Sequence, residues 1–250
     1  IKETDELGRA IVVRENRNGL TEEAFRGLRT NMRFVLKPDE HVIMVTSCIP
    51  GEGKTFVASN LAMSIALLGK KVIIVGLDVR KPRLINLFKL KPSKQGIVNF
   101  LCGSESDYSL LEEQIIPSGI NANMDVLPAG VIPPNPAELL GGPLLKDAID
   151  YLSKKYDYVI LDTPPVGLVA DTLTIGQLAN VTLFVTRLHF SLKSAFNLIN
   201  NLSADKLPNS NIVVNSVDVR KGKYGYYYGY KSYRHYGLYG NYGQFEGNNF

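Results

Sequence analysis

Apolar positions along the chain fall into short continuous runs separated by longer amphipathic stretches. His41–Thr46, Lys71–Val75, Met124–Leu127, Tyr158–Leu161, Val181–Thr186 and Ile212–Val217 are β-rich runs without strict alternation, the pattern of strands buried on both faces. Helical patterns lie between them. Phe25, Leu28, Met32 and Val35 recur at helical spacing within 21–36, with Thr21 placed to cap and Glu22 and Glu23 in the first turn. Residues 54–68 predict a helix stopped by Gly69; Pro143–Lys155, Asp171–Ala179 and Lys193–Ser203 predict three more. Short helices broken by Pro92, Gly96, Gly103 and Pro117 fill 82–121. Strands alternating with helices predict an α/β fold: a doubly wound, mostly parallel sheet with helices on both faces.

The two ends differ from this body. Residues 1–20 are polar and poorly periodic and are expected to be a linker. From Lys221 the composition turns to Tyr, Gly, Asn and Lys, with too few aliphatic residues to build a core, so 221–250 is expected to be a flexible tail. The folded domain is expected over 21–220.

Composition adds little to the pattern. The 250 residues are 45% hydrophobic and 21% charged, an ordinary globular balance, and the net charge of +4 is no evidence for a nucleic-acid partner. Two cysteines, Cys48 and Cys102, are too few for a disulfide framework and suit a reducing compartment. The first residues carry no apolar signal segment, and no apolar run reaches the roughly 18 residues of a membrane span. The longest, residues 56–69, contains Ser59, Asn60 and Ser64 and reads as a buried helix. The chain starts at Ile1 without a Met, and the expectation is a piece of a longer protein whose remainder holds a membrane anchor.

The candidate chemistry sits where strands meet helices. Ser47-Cys48-Ile49-Pro50-Gly51-Glu52-Gly53-Lys54-Thr55 follows an apolar strand and opens a helix, the context of a phosphate-binding P-loop. Gly51 and Gly53 let backbone N–H groups face phosphates, Lys54 supplies charge for the β and γ phosphates, and the Thr55 hydroxyl suits Mg²⁺. Pro50, Glu52 and Phe56 flank these positions. The first Gly of the general G-x-x-x-x-G-K-[ST] pattern is replaced by Cys48. Asp162 ends the strand Val159-Ile160-Leu161, on the edge that faces the ligand crevice of such a sheet, and is a second Mg²⁺ candidate. Asp78 ends another strand and can face Mg²⁺ or accept a hydroxyl proton, with Arg80 two residues on and able to meet a phosphate. Asp171 reads as a helix N-cap. Asn215, at the end of Ile212-Val213-Val214, is a candidate for contacting adenine.

Nine of the 13 tyrosines lie in the tail: Tyr224, Tyr226, Tyr227, Tyr228, Tyr230, Tyr233, Tyr236, Tyr239 and Tyr242. They share it with Lys221, Lys223, Lys231 and Arg234, so phosphorylation at about −1.5 to −2 charge per site reverses its sign. At the other end Glu23, Arg26 and Arg29 recur at intervals of three on one helix face.

Together these pieces resemble the bacterial tyrosine kinase family, over roughly residues 20–245. The family's Walker A looks like Ser47–Thr55, and the family also tolerates a residue other than Gly at position 48. Its Walker A′, Asp-x-Asp-x-Arg, aligns with Gly76-Leu77-Asp78-Val79-Arg80. Its Walker B aligns with Ile160-Leu161-Asp162-Thr163-Pro164-Pro165, its oligomerisation motif Glu-x-x-Arg-x-x-Arg with Glu23, Arg26 and Arg29, and its tyrosine cluster with the tail. The resemblance implies a P-loop kinase domain using ATP and Mg²⁺, with Lys54, Asp78, Arg80 and Asp162 catalytic and Thr55, Asp78 and Asp162 at the metal. It implies a ring-like homo-oligomer that phosphorylates neighbouring tails. It also implies a membrane activator or polysaccharide co-polymerase segment in the same longer chain, at the cytoplasmic face of the inner membrane, and a role in capsule or exopolysaccharide synthesis. Gly76 departs from the pattern and removes one carboxylate, leaving Asp78 and Asp162 as the acidic pair. Two rivals remain in view. One is a ParA/MinD-type ATPase switch, although the extra early P-loop Lys of that group is missing from Ser47–Pro50. The other is a nucleotide-binding pseudokinase regulator, which Gly76 keeps open.

Overall fold

A computed structural model describes residues 10–15, 19–91, 93–207 and 209–217. The nine tail tyrosines expected as phosphate acceptors lie outside the described residues.

The chain opens with α1 (Leu20–Val35), then β1 (Val42–Ser47), α2 (Lys54–Ala66) and β2 (Val72–Gly76). Three short helices follow, α3 (Leu84–Phe88), α4 (Ile97–Leu101) and α5 (Tyr108–Glu113), and then β3 (Ile116–Pro117) and β4 (Met124–Leu127). The second half is α6 (Pro136–Gly141), α7 (Pro143–Lys155), β5 (Tyr158–Asp162), α8 (Asp171–Gly176), β6 (Val181–Arg187), α9 (Ser194–Asp205) and β7 (Ser210–Asn215).

The strands form one sheet in the order β3-β4-β2-β5-β1-β6-β7. Every pairing is parallel except β3 with β4. All residues of β1 and β2 are buried, which explains their unbroken apolar sequence. Two hydrophobic clusters cover the faces: one includes Met44, Ile73, Leu161 and Phe184, the other Ile43, Ile74, Ile160 and Leu183. Neighbouring residues of one strand thus serve opposite layers, as the pleat requires. The chain leaves β1 toward β2 on one side and later places β6 on the other. The carboxyl ends of β1, β2 and β5 consequently open onto a shared crevice.

Helix α2 is buried on all sides from Val57 to Ala66, so its lack of a polar face is a packing requirement. No helix among the described residues is long and apolar enough to cross a membrane.

The structure revises several expectations. Ile11, Val12 and Val13, within the stretch read as a linker, are buried against the second cluster. Asn60 of α2 holds them: its Oδ1 accepts from Val12 N at 2.8 Å and Val13 N at 3.1 Å, and its Nδ2 donates to Ala10 O at 3.0 Å. Three apolar residues in extended chain give no periodic signal. Thr21 lies inside α1, whose N-cap is Gly19. The last strand is Ser210–Asn215, shifted toward the N-terminus of the predicted run because its register with β6 begins at Thr182↔Ser210. Pro117, read as a breaker, sits in the antiparallel edge strand β3, a position that tolerates the missing N–H.

Candidate functional site

The loop between β1 and α2 turns through two left-handed glycines, Gly51 (φ 91°) and Gly53 (φ 99°). The left-handed conformation of Gly53 demands glycine, and a Cβ there would lie 2.2 Å from Asn215 Nδ2 and displace that side chain. Helix α2 starts at Lys54, and its free N–H groups face the crevice end of the sheet.

Two pairs of side chains converge there. Lys54 Nζ lies 3.1 Å from Asp78 Oδ2, and Thr55 Oγ1 donates to Asp162 Oδ1 at 3.1 Å. Asp162 ends β5 in register with Gly76 on one side, and its carbonyl accepts from Leu77 N at 2.8 Å and Asp78 N at 3.2 Å. The backbone thereby fixes the two carboxylates side by side. Asp162 is 2% exposed, and burial pushes its carboxyl up to about 6, against the pull of Lys54 and the Thr55 hydroxyl. A buried carboxylate held in this way is offset by a nearby cation. Two carboxylates and a hydroxyl form a hard oxygen donor set that fits a divalent ion.

Asp78 also accepts from Lys81 N through Oδ1 at 3.1 Å, which shapes the turn after β2. Arg80 Nη2 bonds Asp171 Oδ2 at 2.8 Å. Asp171 is therefore not an N-cap: it is the first residue of α8, and Ala170 precedes it without a side-chain cap. A cleft of ≈ 640 Å³ is lined by Pro50, Gly51, Gly53, Lys54, Thr55, Phe56, Asp78 and Arg80. Eight of the expected site residues thus share one cleft.

Three expected residues also make bonds within the chain. Glu52 is fully buried with its carboxylate turned into the protein, where Oε2 accepts from Ile49 N at 2.9 Å and Oε1 from the Ser191 hydroxyl. Asn215 donates from Nδ2 to Glu52 O at 2.9 Å, which braces the P-loop and keeps the residue beside it. Arg29 reaches α2, with Nη1 2.6 Å from Ser64 O, while Glu23 and Arg26 pair with each other at 2.9 Å. The three therefore make contacts within the chain.

Arg187, the last residue of β6, and Phe190 and Ser191 in the loop after it also support the P-loop and carry no local sequence signal. Arg187 Nη1 donates to Gly51 O at 3.3 Å and its guanidinium lies 5.3 Å from the Phe190 ring centre. Ser191 and Glu52 are 139 residues apart in sequence, and nothing local announces their bond.

Gly76 lines a second, smaller cavity of ≈ 220 Å³ together with Asp78, Arg83 and Asp162. A Cβ there would meet Leu84 Cδ1 at 3.1 Å and Ala129 N at 3.2 Å. A side chain at this position would therefore be tight against both neighbours.

A left-handed glycine loop opening a buried helix, with strand-end carboxylates beside its Lys and Thr, defines a P-loop nucleotide-binding protein. The AAA domain family matches residues 40–213. Tyrosine-protein kinase YwqD of Bacillus subtilis is 36% identical over 180 residues, which is 72% of this chain and 73% of that protein. Tyrosine-protein kinase wzc of Salmonella typhimurium is 34% identical over 217 residues, 85% of this chain and 29% of that protein. The kinase domain of Escherichia coli tyrosine kinase ETK superposes with a TM-score of 0.68 at 31% identity, covering 78% of this chain and 77% of that one. The chain belongs to the bacterial tyrosine-protein kinase family. It spans between 25% and 29% of the length of several curated relatives, the Salmonella kinase among them.

Proposed function

We infer that the chain is an ATP-dependent protein-tyrosine kinase that phosphorylates the tail tyrosines of other copies of itself. The supporting observation is the pairing of Lys54 with Asp78 in the cleft that Thr55 also lines, with Thr55 bonded to Asp162, which lines the adjoining smaller cavity together with Asp78. ATP phosphates take the N–H groups of Gly51–Thr55 at the helix N-terminus. Thr55, Asp78 and Asp162 would hold Mg²⁺, which when bound offsets charge on the β and γ phosphates.

The triphosphate competes with Asp78 for Lys54. Once Lys54 turns to the γ-phosphoryl group, Asp78 is free to orient a phenol and take its proton. A phenol of pKa about 10 gives up that proton more readily than a serine hydroxyl. The tyrosine oxygen forms a bond to the γ phosphorus as the bond to the β-phosphate oxygen breaks, and ADP leaves. Arg80, held by Asp171, sits on the same cleft and can meet a phosphate.

Glu23, Arg26 and Arg29 lie on α1 and would serve a ring-like assembly by exchanging their present partners for those of a neighbour. The full protein would act at the cytoplasmic face of a bacterial membrane in capsule or exopolysaccharide synthesis, as a longer chain with a membrane segment. Relatives named as tyrosine-protein kinases favour this reading over a ParA/MinD-type ATPase. Incubation with ATP and Mg²⁺ followed by peptide mapping tests it. Phosphate on tail tyrosines supports the kinase; released inorganic phosphate with unmodified protein supports the ATPase.

A further inference from the structure

Five cations, Lys54, Arg80, Lys81, Arg83 and Lys89, line the cleft beside the P-loop. Lys54 is paired with Asp78 and Arg80 with Asp171. Lys81, Arg83 and Lys89 line the same cleft, are exposed, and have no ion pair among the described residues. Asp78 is the one acid among the described residues lining it. Lys91 and Lys94, also exposed, continue the basic run along the segment between β2 and α4.

We propose that this basic rim binds phosphotyrosine of a tail that has already been modified, so that one phosphorylation holds the tail for the next. The proposal rests on the reading of the tail as phosphate acceptor. Residues 221–250 contain four cations, Lys221, Lys223, Lys231 and Arg234, against one acid, Glu246. An unmodified tail is thus repelled by the rim. Each phosphate adds about −1.5 to −2 charge, so two or three reverse the sign of the tail and turn repulsion into attraction. Lysine and arginine then form charge-assisted hydrogen bonds to the phosphate oxygens. From Tyr224 to Tyr242 successive tyrosines are one to three residues apart, about 3–10 Å in extended chain. A phosphotyrosine on the rim therefore keeps another tyrosine within the same cleft. Bare tails bind and leave, whereas partly modified tails stay and are modified further.

The experiment is fluorescence anisotropy with the full chain, phosphatase-treated and free of nucleotide. The probes are two labelled peptides of residues 221–234, one bare and one made with phosphotyrosine at Tyr224, Tyr227, Tyr230 and Tyr233, which outweighs the four cations of the peptide. No kinase activity is needed, so the result is independent of whether the chain is an active kinase. The phosphopeptide is expected to bind at least tenfold more tightly than the bare peptide and to weaken as salt is raised. The Lys81→Glu/Lys89→Glu double variant is expected to lose that preference. A fluorescent ADP analogue titrated in parallel should change severalfold less. Equal binding of the two peptides, or an unchanged preference in the variant, overturns the proposal. Equal losses for phosphopeptide and nucleotide also overturn it, since the rim would then belong to the nucleotide site. Binding of phosphatidylserine vesicles through the same lysines, without phosphopeptide binding, overturns it in favour of a membrane-facing surface.

Discussion

Lys54 and Asp78 meet Nζ to Oδ2 at 3.1 Å, with side chains only 12% and 11% exposed. The pair joins the first residue of α2 to the turn after β2 and holds together two groups that the proposed reaction must separate. Asp78→Asn keeps the shape and removes the charge. Its expected effect is a fall in kcat of about 10²–10⁴-fold, the usual weight of a general base. Nucleotide affinity measured without Mg²⁺ should hold or tighten, because Lys54 no longer has a carboxylate competing with phosphate. Single-turnover phosphorylation and a nucleotide titration separate the two quantities.

Glu52 sets the curvature of the P-loop from inside. Glu52→Ala removes the acceptor for Ile49 N and the Ser191 hydroxyl. Two lost hydrogen bonds at about 1 kcal/mol each predict nucleotide binding weakened by about ten- to thirtyfold. Glu52→Gln retains an acceptor for Ile49 N and should recover most of the loss. Equilibrium titration with a fluorescent nucleotide checks both.

Asn60 anchors the chain ahead of α1. Asn60→Ala leaves two buried N–H groups, of Val12 and Val13, without their acceptor. The expected cost is about 2–6 kcal/mol, from about 1–3 kcal/mol for each of the two unsatisfied groups. Limited proteolysis should then cut the chain before Leu20 at lower protease concentration.

Tyr156 is buried and donates to Asp125 Oδ2 at 2.8 Å. Burial first, and then the Asp125 bond, push its phenol well above the usual range. The raised value means that folding favours the protonated form. The stabilisation is therefore complete below about pH 10 and is lost as pH rises through the folded value. Tyr156→Phe should cost about 1–2 kcal/mol at pH 7, and the gap to wild type should narrow above pH 10. Urea denaturation at several pH values measures it.

Much of the site was legible because its elements are local. Ser47–Thr55 carries strand, turn and helix in one stretch, and Asp78 and Asp162 each end an apolar run. Alternation of strand and helix then sufficed to place both acids on the crevice edge. Contacts made across the sequence were not legible. Ser191 reaches Glu52, Asn215 bonds the Glu52 carbonyl, and Arg29 turns onto Ser64 only once β6, β7 and α1 have packed around α2. The burial of residues 11–13 belongs to the same class, since its signal lies in Asn60, some 47 positions away. Gly76 was visible as a missing carboxylate, but the close approach of Leu84 and Ala129 to that position was not.

The central claim, phosphate transfer to tyrosine by the Lys54–Asp78 site, is tested most directly by intact-mass spectrometry. The purified chain is measured after phosphatase treatment and again after ATP and Mg²⁺ are added, beside a Lys54→Met variant. The expected result is a ladder of phosphate additions on the wild type, removed by phosphatase and absent from the variant. A wild-type chain that binds nucleotide yet stays at its unmodified mass would contradict the account.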